Sequence, residues 1–197
     1  MDQNSVLDVF RETKALKEGH FILPSGWHSS TYLRRQKLLE YPDKVEILAA
    51  QLVKKIAASN ILNFSHIVSP SLGGLIVSLQ VARIMQKRAL WIRRESGYLT
   101  TGPASIPPKS NILIVQDVVA TGHLCLSTIE ALRSLNINSV GIGCFIDRSH
   151  KDTELGVPLI SLAPLKLPVY AADKLPEELA AIPAIQTTPI EPFNWRD

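Results

Sequence analysis

Apolar and polar positions along the chain fall into two regimes. Val45, Leu48, Ala49, Leu52, Val53 and Ile56 recur at helical spacing after Tyr41-Pro42-Asp43, which predicts an amphipathic helix starting there. Before it, Ser5 and Asp8 form a helix-start signature, Val6, Phe10 and Leu16 supply an apolar side, and the helix is expected to end near Gly19. The stretch from Phe21 to Tyr32 is interrupted by Pro24, Ser25 and Gly26 and reads as turn-rich strand or loop.

From residue 66 the period changes to short continuous apolar runs, most of them passing through small residues into a helical stretch. His66 to Val68 leads through Pro70-Ser71-Leu72-Gly73-Gly74 into a helix reaching Arg83, and Ala89 to Ile92 follows. Ile112 to Val115 leads to Gly122 and a helix carrying Ile129, Leu132 and Leu135, while Val140 to Ile146 and Leu159 to Leu162 add two more runs. Buried strands alternating with helices predict an α/β fold with a central, mainly parallel sheet flanked by helices. In such sheets ligands bind at the carboxyl ends of the strands, which points to residues 69–74, 93–97, 116–124 and 147–148.

Composition narrows this picture. At 197 residues and 46% apolar content, one domain with a substantial core is expected. A net charge of +3 is too small for a nucleic-acid binder. Cys125 and Cys144 lack the spacing of a disulfide framework or zinc site, so a reducing, cytoplasmic setting is expected. The N-terminus carries acids and lacks an apolar core, and no run approaches a membrane span. Seven of the thirteen prolines lie between Pro158 and Pro192, as in an extended wrapping tail.

The segment Asn111 to His123 carries the most chemical information. A buried strand ends near the acid Asp117, passes Thr121 and Gly122, and opens a helix whose free N–H groups suit a phosphate. An acid at a strand end beside a helix cap is the plainer alternative. No Walker loop is present.

ILIVQDVVATGH resembles the phosphoribosyl-diphosphate signature of type I phosphoribosyltransferases, and the whole chain is similar to the orotate phosphoribosyltransferases among them. The resemblance also rests on Gly19 to Ser29 with Tyr32, Ser69 to Gly74, Arg93 to Gly97, Asp147-Arg148, and the tail Leu175 to Pro183. It implies a type I phosphoribosyltransferase fold over 1–197, with a core at 41–155 and a small hood from 1–40 and 156–197. It also implies Mg²⁺-dependent transfer of phosphoribosyl from phosphoribosyl diphosphate to orotate or another base, by a homodimer that binds neither nucleic acid nor membrane. Asp117 with Gln116 would hold the ribose hydroxyls, and Val118, Val119, Ala120, Thr121, Gly122, His123 and Leu124 would surround the 5-phosphate. Ser71, Gly73 and Gly74 would admit the diphosphate; Arg94 would bind phosphate charge and act with Asp117 in catalysis. Ser25, Gly26 and His28 would lie on the base side, and Arg148 would meet orotate's carboxylate. Mg²⁺ would be carried mainly by phosphoribosyl diphosphate.

Several positions depart from that pattern. Residues 96–108 carry no charge, and Tyr98 stands near the place of the family's loop lysine. Gln116 replaces an acid, Ala120 a hydroxyl residue, and His123 and Leu124 replace small residues. His123 would either donate to phosphate or crowd it, and His28 is either a pocket or a surface-loop residue. Cys125 is either a dipole-stabilised thiolate or a packed thiol. Arg34, Arg35, Lys37, Lys87, Arg88, Arg93 and Arg94 form basic clusters that face substrate, partner or solvent. An impaired homologue that senses nucleotide or phosphoribosyl diphosphate is the alternative function, and an unrelated phosphate-binding α/β module the third.

Overall fold

Asp2, and not Ser5, caps the first helix: its carboxylate accepts the Ser5 N–H at 2.8 Å and opens α1 (Gln3–Glu12). In this computed structural model, which describes residues 1–61, 63–95, 98–100, 106–150 and 153–187 (93–95 and 98–100 as backbone alone), α1 stops well before Gly19. Lys14 takes a left-handed φ of 57°, and the chain returns as β1 (Leu16–Ile22), so Leu16 is a buried strand residue. The expected turn-rich segment is a hairpin to β2 (His28–Leu33), followed by α2 (Gln36–Leu39) and α3 (Pro42–Ala57). Pro42 fits the first turn of α3, where its missing N–H costs nothing, and Val45, Leu48, Ala49, Leu52 and Ile56 are buried.

The alternating part follows as β3 (His66–Ser69), α4 (Leu72–Met85), β4 (Arg88–Trp91), the pair β5 (Arg93–Glu95) and β6 (Tyr98–Thr100), then β7 (Asn111–Val119), α5 (His123–Ser134) and β8 (Asn138–Asp147). The chain ends its described course with β9 (Leu159–Pro164), β10 (Val169–Tyr170), α6 (Glu177–Ala180) and β11 (Ile185–Gln186). Five strands form one parallel sheet in the order β4-β3-β7-β8-β9. Leu113 and Val115 pack with residues of α1, α3 and α4 on one face; Ile112 and Ile114 pack with Cys125, Ile129 and Leu132 of α5 on the other. Both faces of the sheet are therefore dry, which is why the strands read as unbroken apolar runs.

A second sheet, β10-β2-β1-β11, joins the N-terminal hairpin to the tail. The expected hood segment 156–197 divides: its first strand, β9, belongs to the central sheet beside β8, and only the later strands reach β1 and β2. β7 runs through Val119, further than the expected strand end, so Gln116 to Val119 are strand residues and Ala120 to Gly122 alone make the turn. Among the described residues no helix is long and apolar enough to cross a membrane.

Candidate active site

The strand order reverses between β3 and β7. β3 leads through α4 outward to β4, and β7 leads through α5 the other way to β8, so a crevice opens above the carboxyl ends of β3 and β7. Ser71 caps α4 there, its hydroxyl accepting the Gly74 N–H at 3.1 Å. A Cβ at Gly73 would fall inside contact distance of Asp117 Oδ2, and one at Gly74 would lie 2.9 Å from the Val115 carbonyl. The paired glycines thus let the start of a helix descend onto the end of β7. Of the expected diphosphate loop Ser69 to Gly74, Ser69 ends β3, Pro70 and Ser71 make the connection, and Leu72 to Gly74 form the first turn of that helix.

Asp117 is the charged centre of the crevice. Its side chain is 2% exposed, Oδ1 faces Arg35 Nη1 at 3.4 Å, and buried Oδ2 has no hydrogen-bond partner. Burial pushes its carboxyl up, and Arg35 with the N–H groups of Val118 and Asp117 pulls in the opposite direction without cancelling the rise. Such an oxygen, held next to a helix N-terminus, is an acceptor waiting for donors. A cavity of about 400 Å³ opens on it, lined by Arg35, Glu40, Leu72, Gly73, Ile76 and Asp117 among others.

A smaller cavity of about 110 Å³ lies against Arg35, Val118, Val119, Ala120, Thr121, Gly122 and Leu124, and buried Gln116 and Cys125 also line it. Gly122 has φ 83° and serves as the N-cap of α5; Thr153 and Leu155 leave no room for a side chain there. The helix start offers backbone N–H groups that no side chain caps. Gln116 turns inward and donates to Cys125 Sγ at 3.1 Å. Burial pushes the Cys125 thiol up to about 11, so it is the packed neutral thiol and not a stabilised thiolate.

Other expected residues distribute unevenly. Arg148 follows β8, its N–H donating to the Val119 carbonyl at 2.8 Å, and its Nε is buried without a partner. Burial lowers its guanidinium pKa. His123 is exposed at the start of α5 and does not line the small cavity. Ser25 and Gly26 are exposed in the β1–β2 turn. His28 lies in β2, Nδ1 2.6 Å from His20 Nε2, while His20 Nδ1 is 2.9 Å from the Ile182 carbonyl. None of these three lines either cavity. The Arg94 side chain lies outside the described residues. Arg35 was grouped in sequence with its neighbours as one basic cluster; no local pattern separates it from Arg34, and only the fold carries it to Asp117.

The chain is similar in sequence and fold to known proteins. The family model described as phosphoribosyl transferase domain matches residues 36–155. An orotate phosphoribosyltransferase of Brucella ovis is 40% identical over 186 residues, 94% of this chain and 97% of its own length. Among solved structures, an orotate phosphoribosyltransferase from Aeropyrum pernix has a TM-score of 0.67 at 27% identity, covering 81% of this chain and 93% of that one. The fold also matches Mycobacterium tuberculosis orotate phosphoribosyltransferase in complex with inorganic phosphate, with a TM-score of 0.65 at 18% identity over 83% of this chain and 96% of that one. A switch-point crevice built on β3 and β7, a family model spanning most of the chain and near full-length relatives at this identity agree: the chain belongs to the orotate phosphoribosyltransferases, within the phosphoribosyltransferase family.

Proposed function

We propose that the protein transfers a phosphoribosyl group from phosphoribosyl diphosphate to orotate, releasing diphosphate and forming orotidine monophosphate. The observation that carries this reading is Asp117, the one buried acid among the described residues, which faces a cavity at the start of α4 at the strand-order switch, with the uncapped α5 N-terminus at a second cavity that shares Arg35 with the first. Thr121, Gly122 and the first N–H groups of α5 hold the 5-phosphate, while Asp117 accepts from the ribose hydroxyls and so fixes the sugar. Gly73 and Gly74 leave backbone at the surface for the diphosphate. Arg148, with its unpaired Nε, offers a planar fork to a planar carboxylate. The C1–diphosphate bond breaks as the base nitrogen bonds to C1, so positive charge grows on the sugar and negative charge on the leaving group. The chain's part is to hold both ends of the donor, steady the leaving charge and exclude water.

Among the described residues no cluster of three or more His, Cys, Asp or Glu side chains stands ready for a metal. Mg²⁺ therefore fits as an ion bound through the donor's own oxygens, where it would neutralise diphosphate charge. The direct test is loss of orotate absorbance with phosphoribosyl diphosphate and Mg²⁺. Turnover supports the reading; none from folded protein over a range of metal and protein concentrations ends it.

A binding-only homologue is the second reading, favoured by the uncharged segment 96–108 and by Gln116 turned toward Cys125. It predicts calorimetric binding of phosphoribosyl diphosphate without turnover. If the missing loop cation limits chemistry, Tyr98→Lys raises kcat about tenfold or more with little change in donor affinity. An unchanged or lower kcat in the folded variant excludes that account.

We also propose a homodimer. Leu72, Ile76 and Leu79 fall on one face of α4, with Leu72 78% and Leu79 53% exposed, an apolar stripe suited to a second copy. Sedimentation should give twice the chain mass at assay concentration, and Leu79→Glu should shift it toward the monomer. A wild-type monomer at that concentration rules this out. Free, buried Cys125 and Cys144 suit the reducing cytoplasm, where we place the protein.

A further inference from the structure

We propose that Arg35 exchanges partners during binding, leaving Asp117 for a phosphate oxygen of the incoming ligand and supplying positive charge from within the same chain. The inference rests on the reading that the ligand is a phosphorylated ribose. Arg35 stands directly before α2, and among the described residues it is the one that lines both the 400 Å³ cavity on Asp117 and the 110 Å³ cavity at the α5 N-terminus. Among the described residues it is also the one basic side chain lining either, whereas Glu40 and Asp117 bring two carboxylates. Among the described lining residues, an anion entering with Arg35 still committed to Asp117 would meet the Glu40 carboxylate with no guanidinium turned toward it.

The contact with Asp117 suits a temporary partner. It uses one nitrogen of the guanidinium at 3.4 Å, where a committed arginine–carboxylate pair is two-pronged and shorter. Arg35 is 42% exposed, so its side chain has space to turn, and the remaining N–H donors are free of Asp117. Asp117 does not lose by the exchange. Oδ2 already lacks a donor, and two ribose hydroxyls would satisfy the oxygens that the guanidinium vacates. Without the sugar, release of Arg35 would strand a buried carboxylate; without the phosphate, the guanidinium has no better partner. Phosphate alone can draw the guanidinium away only by leaving Asp117 without its charged partner, so the exchange is most favourable when sugar and phosphate arrive together. The site is thereby biased toward a ligand carrying both.

Calorimetry on the full chain, with ribose 5-phosphate and inorganic pyrophosphate as separate probes, tests this. Arg35→Gln should weaken at least one probe about 10- to 100-fold and flatten the dependence of its affinity on salt, while Arg35→Lys recovers part of the loss. Loss in the pyrophosphate arm assigns the guanidinium to the leaving group, and loss in the ribose 5-phosphate arm assigns it to the 5-phosphate. The same substitution is repeated in an Asp117→Asn background. Direct contact predicts a loss of similar factor there; disappearance of the loss would mean that Arg35 acts only by positioning Asp117, and the proposal fails. It also fails if the wild type binds a probe and folded Arg35→Gln binds both equally well. Failure of the wild type to bind either probe removes the phosphoribosyl reading itself, and this proposal with it.

Discussion

Asp117→Asn is expected to lower turnover by about 10²- to 10³-fold while making the protein more resistant to heat at neutral pH. The two effects have one source. Burial raises the carboxyl's pKa in the folded chain despite Arg35, so the native state binds this proton more readily than the unfolded state does. Stability linked to Asp117 is then greatest in acid, where both states are protonated. It falls as pH climbs from the unfolded pKa through the folded one, and the deficit persists at pH 7. Asparagine has nearly the same shape and no such titration, so the gain in Tm over the wild type should be small near pH 3 and larger at pH 7. Melting curves at the two pH values, beside the orotate assay, check both halves. A variant equally active would show that the carboxylate is not the ribose acceptor, and one less stable at neutral pH that it is not a strained group.

Gly122→Ala should damage both fold and binding. A Cβ there meets Thr153 Cγ2 at 2.8 Å and Leu155 Cδ2 at 2.9 Å, on a backbone with φ 83°. Positive φ and crowding together should cost about 1–3 kcal/mol. Because Gly122 opens α5, the same shift moves the N–H groups proposed for the 5-phosphate, and ribose 5-phosphate affinity should fall about 10- to 100-fold. Adding Thr153→Ser removes the nearest methyl and should restore part of the Tm while the backbone strain remains. Unchanged affinity in Gly122→Ala would place the 5-phosphate elsewhere.

Elements whose pattern is local were readable from the sequence. The helical spacing from Val45 to Ile56 and the run Ile112 to Val115 each declare their structure within a few residues, because every second or fourth side chain answers to one adjacent core. The candidate site was visible to the same extent: Gly73, Asp117 and Gly122 sit at the strand ends that an alternating pattern marks out. Misreadings arose where local and distant forces competed. Leu16 continues the helical series of Val6 and Phe10, yet Lys14 turns the chain and pairing with Leu33 claims Leu16 for a strand. β11 has no signal of its own, since Ile185 and Gln186 become a strand only by lying beside Phe21 and Ile22. Arg35 and the His20–His28 contact are likewise products of long-range placement.

The small sheet joins segments from opposite ends of the chain: β1 and β2 at 16–33, β10 and β11 at 169–186. During synthesis the two N-terminal strands emerge first and can pair with each other, but the outer edge of β2 stays bare until Val169–Tyr170 emerges and that of β1 until Ile185–Gln186 does. The central parallel sheet can be complete by then, since β9 ends at Pro164. A nascent chain would thus acquire the strand ends of the candidate site before the second sheet is closed.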